Sequence, residues 1–263
     1  MTVQSFTPPP SVFPSTTEAD EHGLVAVSAE MDLSLLIDAY CNGIFPWTEE
    51  PVCWFSPNPR AVFELSQVRL PVRIGKLLRR YGYTITYDEA FSEVMKICAD
   101  VPRKHEGSWI GRSFLRDYRE LYKLGYAHSV EVWEGESLVG GLYGIQMGGS
   151  FSGESMFSLR PDASRIAFAA LCVKLDAIGM TWFDSQVLNE HTQNLGAIEI
   201  SRESYLKRLH ATIPKPTPGL GRPWESPDAD KLLTSMIAFE RRTRETRRAN
   251  RTVSNDVPTD EDE

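Results

Sequence analysis

Two short segments hold the residues best suited to chemistry. In Trp182-Phe183-Asp184-Ser185-Gln186-Val187-Leu188-Asn189, an acid and an amide stand two apart after an apolar pair, with Asn189 in the turn beyond. On a regular strand the Asp184 and Gln186 side chains leave the same face. Strands avoid Asp, so Asp184 either serves a site or caps the following turn, and the residues alone leave both readings open. In Phe151-Ser152-Gly153-Glu154-Ser155-Met156-Phe157, alternation groups Ser152, Glu154 and Met156 against Phe151, Gly153 and Phe157. The first face is the more polar, so Glu154 reads as a solvated position unless something pairs with it. Gly140, Gly141, Gly144, Gly148 and Gly149 read as bulge positions. They are not a dinucleotide fingerprint, because no helix follows them. Trp47, Trp54 and Trp109 lie in segments dense in Pro and Gly, where an aromatic plugs a core or, in the alternative, stacks on a base. His128 and His191 have no partner at motif spacing and read as structural. No serine elbow, P-loop or metal-ligand pattern is present. The four cysteines, Cys41, Cys53, Cys98 and Cys172, are scattered without a CxxC pair, which points to reduced thiols and away from disulfides or zinc.

The elements that must carry these residues follow from periodicity. Met1 to about Asp20 is rich in Pro, Ser and Thr and reads as a loosely ordered segment. Asp32 N-caps a first helix that ends at Gly43. A second helix is expected from Pro71 to Gly82, a third from Asp88 with Phe91, Val94, Met95 and Cys98 on one side, and a fourth from Ser113 to Leu124. The pattern then changes to period two, with strands over His128–Glu134, Leu138–Ile145 and Ser150–Phe157. A long helix from Asp162 or Ala163 to Gly179, a strand over Thr181–Val187, a short helix near His191 and a helix capped by Ser201 complete the core. This order predicts an α+β fold with an N-acetyltransferase-like core, a mixed sheet with flanking helices, preceded by a smaller α/β domain. The divisions expected are a disordered segment over 1–22, an N-terminal domain over 23–105, a catalytic domain over 106–212, a Pro-rich loop over 213–230 and an Arg-rich extension with an acidic end over 231–263.

The 263 residues carry a formal net charge of −8, which at face value speaks against nucleic acid. The distribution says otherwise. Arg69, Arg73, Lys76, Arg79 and Arg80 occur with no acid between Glu64 and Asp88, and Arg241 to Arg251 holds six arginines against Glu245 alone. A local basic surface binds phosphate whatever the total. Arg73, Lys76 and Arg80 fall at spacings of three and four, so they share a face of the expected second helix. The C-terminal arginines read as a solvated helix face. No apolar run is long enough to span a membrane and no leader pattern opens the chain, so a cytoplasmic monomer is expected.

Taken together the segments resemble the leucyl/phenylalanyl-tRNA–protein transferases. The similarity runs in order through Gly43-Ile44-Phe45-Pro46-Trp47, Trp54-Phe55-Ser56-Pro57-Asn58-Pro59-Arg60, Glu106-Gly107-Ser108-Trp109-Ile110 and Ala127-His128-Ser129-Val130-Glu131-Val132-Trp133. It continues through Leu138-Val139-Gly140-Gly141-Leu142-Tyr143-Gly144, Gly153 to Ser158, Asp184 to Asn189 and Leu195-Gly196-Ala197, and so covers about Gly23 to Leu209. Ser28-Ala29-Glu30-Met31 departs from the usual Gly-Gly-Asp-Leu, Leu142 replaces a frequent Met, and the extension after Lys231 is additional.

The resemblance implies transfer of Leu or Phe, with Met as a further donor, from aminoacyl-tRNA to an acceptor protein with N-terminal Arg or Lys, marking it for degradation. It implies no cofactor or metal. By resemblance Asp184 and Gln186 form the catalytic pair. Asp184 serves directly or indirectly as proton acceptor, Asn189 is an oxyanion donor, and Glu154 orients the amine or pairs with the acceptor's basic residue. Trp47, Trp109 and Tyr118 match adenosine-stacking positions. The donor side chain is expected among Leu142, Phe151, Met156, Phe168, Leu171, Leu175 and Phe183, and the tRNA body on Arg73, Lys76 and Arg80. Two other readings fit less well. An acetyl-CoA enzyme needs a glycine-rich turn where the sequence has Ser158-Leu159-Arg160-Pro161-Asp162-Ala163-Ser164. A purely RNA-binding protein has no use for Asp184 and Gln186.

Overall fold

The computed structural model describes residues 3–4, 6–100 and 111–255. Its elements run β1 (Val3–Gln4), β2 (Leu24–Ser28), α1 (Leu33–Cys41), β3 (Phe45–Pro46), β4 (Val52–Phe55), β5 (Arg60–Glu64), α2 (Ile74–Tyr81), β6 (Tyr83–Tyr87), α3 (Phe91–Asp100) and α4 (Arg112–Lys123). There follow β7 (Ala127–Glu134), β8 (Ser137–Met147), β9 (Ser150–Ser158), α5 (Ala163–Ala177), β10 (Trp182–Gln186), α6 (Glu190–Leu195), β11 (Ile198–Ile200), α7 (Arg202–Thr212), β12 (Thr217–Pro218) and α8 (Ala229–Asn255). Seven strands form one mixed sheet in the order β11-β5-β10-β9-β8-β7-β6. The β9–β10 pair is parallel, because α5 carries the chain across between them, and the other pairs are antiparallel.

The sheet is buried on both faces, as a sheet with helices on each side must be. Alternation along β5 sends Phe63 into a core shared with α5 and Val62 into a second core shared with α1, α3 and α4. The helix caps expected from sequence are in place: Asp32 accepts from the Leu35 N–H at 2.8 Å and Ser201 from the Ser204 N–H at 3.2 Å. Cys41, Cys98 and Cys172 are buried and Cys53 half-buried.

Several boundaries differ from the sequence reading. Strands β5 and β6 both come from the stretch assigned to a separate first domain, yet both are integral to the main sheet. Helix α2 begins at Ile74, not Pro71, because Arg73 adopts a left-handed conformation with φ 62° and turns the chain just before it. Helix α3 begins at Phe91; Asp88, expected to start it, sits in a left-handed turn with φ 57°. Its buried carboxylate instead ties His128 Nδ1 at 2.7 Å, the Ser129 N–H at 2.7 Å and the Trp224 N–H at 2.6 Å. The N-terminal segment is seated on the fold rather than loose. The Val12 N–H donates to the buried Asp38 carboxylate at 2.8 Å, Phe13 packs edge-on against Trp54, and Phe6 packs against Tyr126.

Candidate functional site

Two adjacent irregularities in the sheet build the site. In β9, Ser155 pairs with Tyr143 and Gly153 with Gly144, so Glu154 is an extra residue without a partner across the strand. In β10, Asp184 pairs with Val62 and Gln186 with Ala61, so Ser185 is likewise extra. Bulges of this kind re-aim side chains. Gly144 permits the first one, since a Cβ there would lie 2.4 Å from the Phe151 ring and from the Ser152 carbonyl oxygen. At the second, Gln186 takes a left-handed φ of 63°, which a non-glycine residue adopts only when its surroundings enforce it. The two bulges meet through a 2.7 Å hydrogen bond from Gln186 Nε2 to Glu154 Oε1.

Beneath Gln186 the Asp184 carboxylate is wholly buried and fully occupied. Its Oδ1 accepts from Arg60 Nε at 2.9 Å and from the Gln186 backbone N–H at 2.9 Å. Its Oδ2 accepts from Arg60 Nη2 at 2.6 Å, from Ser152 Oγ at 3.1 Å and from the Tyr205 hydroxyl at 3.1 Å. Arg60 is 1% exposed, donates also to the Gly43 carbonyl at 3.0 Å and stacks on the Phe45 and Tyr205 rings. Burial opposes the guanidinium charge most strongly, but the Asp184 carboxylate, the Tyr205 hydroxyl and the Glu154 charge together outweigh it and raise the Arg60 pKa. With five donors on two oxygens, Asp184 has no free lone pair aimed at a substrate. It fixes the left-handed Gln186 turn instead.

Glu154 is in the opposite situation. Burial pushes its pKa up to about 8, with the hydrogen bond from Tyr40 acting against this and the nearby Asp184 charge adding to it. Tyr118 donates to Glu154 Oε2 at 3.5 Å and lies 2.5 Å from the Tyr40 hydroxyl. Burial, and then the Glu154 charge, raises the pKa of both tyrosines, so they remain neutral donors.

Gln186 and Glu154 form the polar wall of a cavity of about 390 Å³. Its apolar side is made by Phe63, Leu142, Met156, Phe168, Leu171 and Phe183, together with the buried Phe45 and Pro46 and the exposed Trp47. Trp47 is 39% exposed and held edge-on against Phe55 at 5.3 Å. Asn189 also lines the cavity, and its side chain accepts from the Thr192 N–H at 2.9 Å as the N-cap of α6. That bond assigns the amide oxygen inward and leaves the amide N–H₂ for a ligand. His191, read from sequence as structural, also lines the cavity, and burial lowers its pKa.

Not every residue expected at the pocket is there. Phe151 is buried against Phe183 and Trp224, and Leu175 of α5 lies in the core, neither of them in the cavity lining. Tyr118 is 0% exposed and supports Glu154 from below, so it cannot stack on a base. Trp109 lies outside the described residues. Arg73 precedes α2 and therefore does not share a helical face with Lys76 and Arg80, although all three are exposed. Arg60, Ser152 and Tyr205 were missed. Their traces in the sequence are an Arg after Pro59, in a segment that becomes a buried strand, and the position of Ser152 on the same strand face as Glu154.

Residues 62–210 match the model for leucyl/phenylalanyl-tRNA protein transferase, and residues 29–58 match that for its N-terminal domain. The chain belongs to this family. The leucyl/phenylalanyl-tRNA–protein transferase of Syntrophotalea carbinolica is 45% identical over 201 residues, covering 75% of this chain and 87% of its own. Those of Hydrogenovibrio crunogenus and Anaeromyxobacter sp. strain K are 45% and 41% identical, covering 74% and 78% of this chain and 78% and 89% of their own. Among solved structures, L-PGS from Bacillus licheniformis covers 71% of this chain and 65% of its own at 14% identity, with a TM-score of 0.36, too low to describe this fold. The two family matches meet between residues 58 and 62, at the start of β5. Both end before α8. The chain is thus a tRNA–protein aminoacyltransferase by family, and Asp184, Gln186 and Glu154 all lie within the matched region.

Proposed function

We propose that the chain transfers Leu or Phe, with Met as a further donor, from aminoacyl-tRNA to the α-amine of a protein that begins with Arg or Lys. The observation that carries this reading is one cavity with an apolar wall on one side and the Gln186–Glu154 pair on the other. The apolar wall suits an uncharged side chain of Leu or Phe size. The exposed Trp47 offers a ring for the terminal adenine. Lys76 and Arg80 on α2, with Arg73 just before it, offer phosphate contacts for the tRNA body. The reaction belongs in the cytoplasm, where charged tRNA is found, and among the described residues no helix is long and apolar enough to cross a membrane.

In this reading the Gln186 side-chain carbonyl, oriented by the Nε2 bond to Glu154, holds the incoming amine. The neutral amine attacks the ester carbonyl, a C–N bond forms, and negative charge on the oxygen is met by the Asn189 amide N–H. The nitrogen, now positive, gives a proton to the Glu154 carboxylate. Glu154 returns that proton to the ribose oxygen as the C–O bond breaks, so no net proton is gained or lost. A carboxyl with a pKa of about 8 is matched to both steps near neutrality. Asp184 touches none of the reacting atoms; with Arg60 it positions Gln186.

The fold is read as acetyltransferase-like on the strength of the parallel β9–β10 pair beside an antiparallel meander. Coenzyme A chemistry is disfavoured at the start of α5, where Ser158 Oγ already takes the Ser164 N–H at 3.2 Å. Single-turnover transfer from one tRNA charged in turn with Leu, Phe or Asp tests the donor assignment. Leu and Phe should transfer and Asp should not; equal transfer of Asp would mean that the apolar cavity does not receive the donor side chain.

A further inference from the structure

Helix α8 lies beyond the part of the chain that the family match covers, and its arginines suggest from sequence only a solvated face. The structure gives it a place. Leu232, Met236 and Phe239 are buried in the core shared with α5. Ile237 and Leu233 lie over Gly75 of α2, where an added Cβ would sit 2.8 Å from Ile237 Cδ1, so the glycine lets the two helices meet closely. Arg242 pairs with Asp176 at the end of α5 at 2.8 Å, and Arg247 donates to the Val68 carbonyl. From Gly75 back to Val68 the chain runs towards the N-terminus while α8 runs towards its C-terminus, so the arginine-rich end of α8 arrives beside Arg69 and Arg73.

Basic residues of the two runs, far apart in sequence, therefore meet on one surface where α8 packs beside α2. In the sequence the two runs hold five and six of the 28 lysines and arginines of a chain whose net charge is −8. Arg241, Arg244 and Arg248 recur at spacings of three and four and continue along α8 the stripe of Ile237, whose side chain lies over Gly75 of α2. The surface also adjoins the cavity. The Arg69 N–H donates to the Leu195 carbonyl at 2.7 Å, and Leu195 ends α6, whose first residues line the cavity. Six helical residues span only about 9 Å.

We propose that the C-terminal helix α8 is a second tRNA-contacting element, extending the basic surface of α2 so that phosphates next to the donor's 3′ end lie across Arg69, Arg73, Arg241 and Arg248. This rests on the aminoacyl-tRNA reading above. Such contacts follow the backbone and are indifferent to base sequence.

The test is salt-titrated binding of intact tRNA to the full chain and to Arg241→Gln/Arg248→Gln. Arg241 is a suitable choice because its pairing with Glu245, at 4.0 Å between two exposed side chains, contributes little to stability. Each phosphate no longer neutralised should lower the slope of log affinity against log salt by about 0.9. Two such phosphates then mean that, from 50 to 200 mM salt, the wild type loses about 12-fold more affinity than the variant. Arg241→Lys/Arg248→Lys keeps the charge and should retain most of the wild-type slope. Transfer from a short leucyl-adenosine donor, which does not reach α8, reports whether the catalytic site of the variant is intact. A wild-type slope in the Gln variant overturns the proposal, and so does an equal fall in slope in the Lys variant. If the wild type transfers from neither donor, the function reading fails, while the binding slopes still decide the role of α8.

Discussion

Replacing Glu154 with Gln keeps a planar group of the same size beside Gln186, Tyr40 and Tyr118 but removes the group that titrates at about 8. If the wild-type reaction needs both a neutral amine, whose ordinary pKa is also close to 8, and an ionised Glu154, then below pH 7 the rate depends on two deprotonations. With both reactants subsaturating, kcat/KM should rise about 100-fold from pH 6 to pH 7 in the wild type and only about 10-fold in Glu154→Gln, where the amine alone titrates. Asp184→Asn should be slower throughout yet keep the steep wild-type dependence, because Asp184 does not exchange the proton. The assay is transfer from leucyl-adenosine to a short peptide across this range, with rates corrected for ester hydrolysis. Equal slopes for wild type and Glu154→Gln would refute the assignment of the proton to Glu154. A shallow slope in Asp184→Asn would return that role to Asp184. The same raised pKa has a consequence for stability. Ionising Glu154 in the fold costs more than ionising it in the unfolded chain, so its contribution declines as pH rises from the unfolded value near 4.5 to about 8. Glu154→Gln should therefore gain on the wild type in melting temperature as pH rises through that window.

Arg60→Met should lower stability by about 3–5 kcal/mol, because it leaves the buried Asp184 carboxylate without its main partner; chemical denaturation measures it, and a change under about 1 kcal/mol, the scale of an exposed pair, would mean that the pair is not what holds Gln186. Arg60→Met with Asp184→Leu should recover part of that stability without recovering transfer. Trp47→Ala should weaken leucyl-adenosine binding by about 1–3 kcal/mol if the ring stacks on the base, and unchanged affinity in a folded variant would return Trp47 to a packing role. Replacing Arg73, Lys76 and Arg80 with Ala should flatten the salt dependence of intact tRNA binding by about one unit for each phosphate that these side chains neutralise and spare the short donor; an unchanged slope would move the tRNA off α2.

Local signals made most of the elements legible. Period-two alternation located β7 to β9, and a helical stripe with flanking glycine located α5. What failed did so where tertiary structure overrides a local rule. Counting by twos placed Glu154 on a solvated face, but the bulge in β9 inserts it as an extra residue and turns it into the cavity. The competing readings of Asp184 could not be separated because its partner, Arg60, lies 124 residues away. Phe151 and Leu175 have the right chemistry for a donor pocket, yet no spacing rule says which of two apolar sides a buried side chain will join. The start of α2 moved because Arg73 takes a left-handed turn, which sequence favours at glycine or asparagine. The N-terminal segment, loose by composition, is held through Asp38 and Trp54, partners that a low-hydrophobicity rule does not see.

Peptide-bond formation itself is measured by mixing the protein with leucyl-tRNA and a peptide beginning with Arg, then weighing the peptide by mass spectrometry. The peptide should gain one leucyl residue at its N-terminus, and an otherwise identical N-acetylated peptide should gain none. An unchanged mass for the free-amine peptide, with leucyl-tRNA intact and the protein folded, would contradict aminoacyl transfer by this chain.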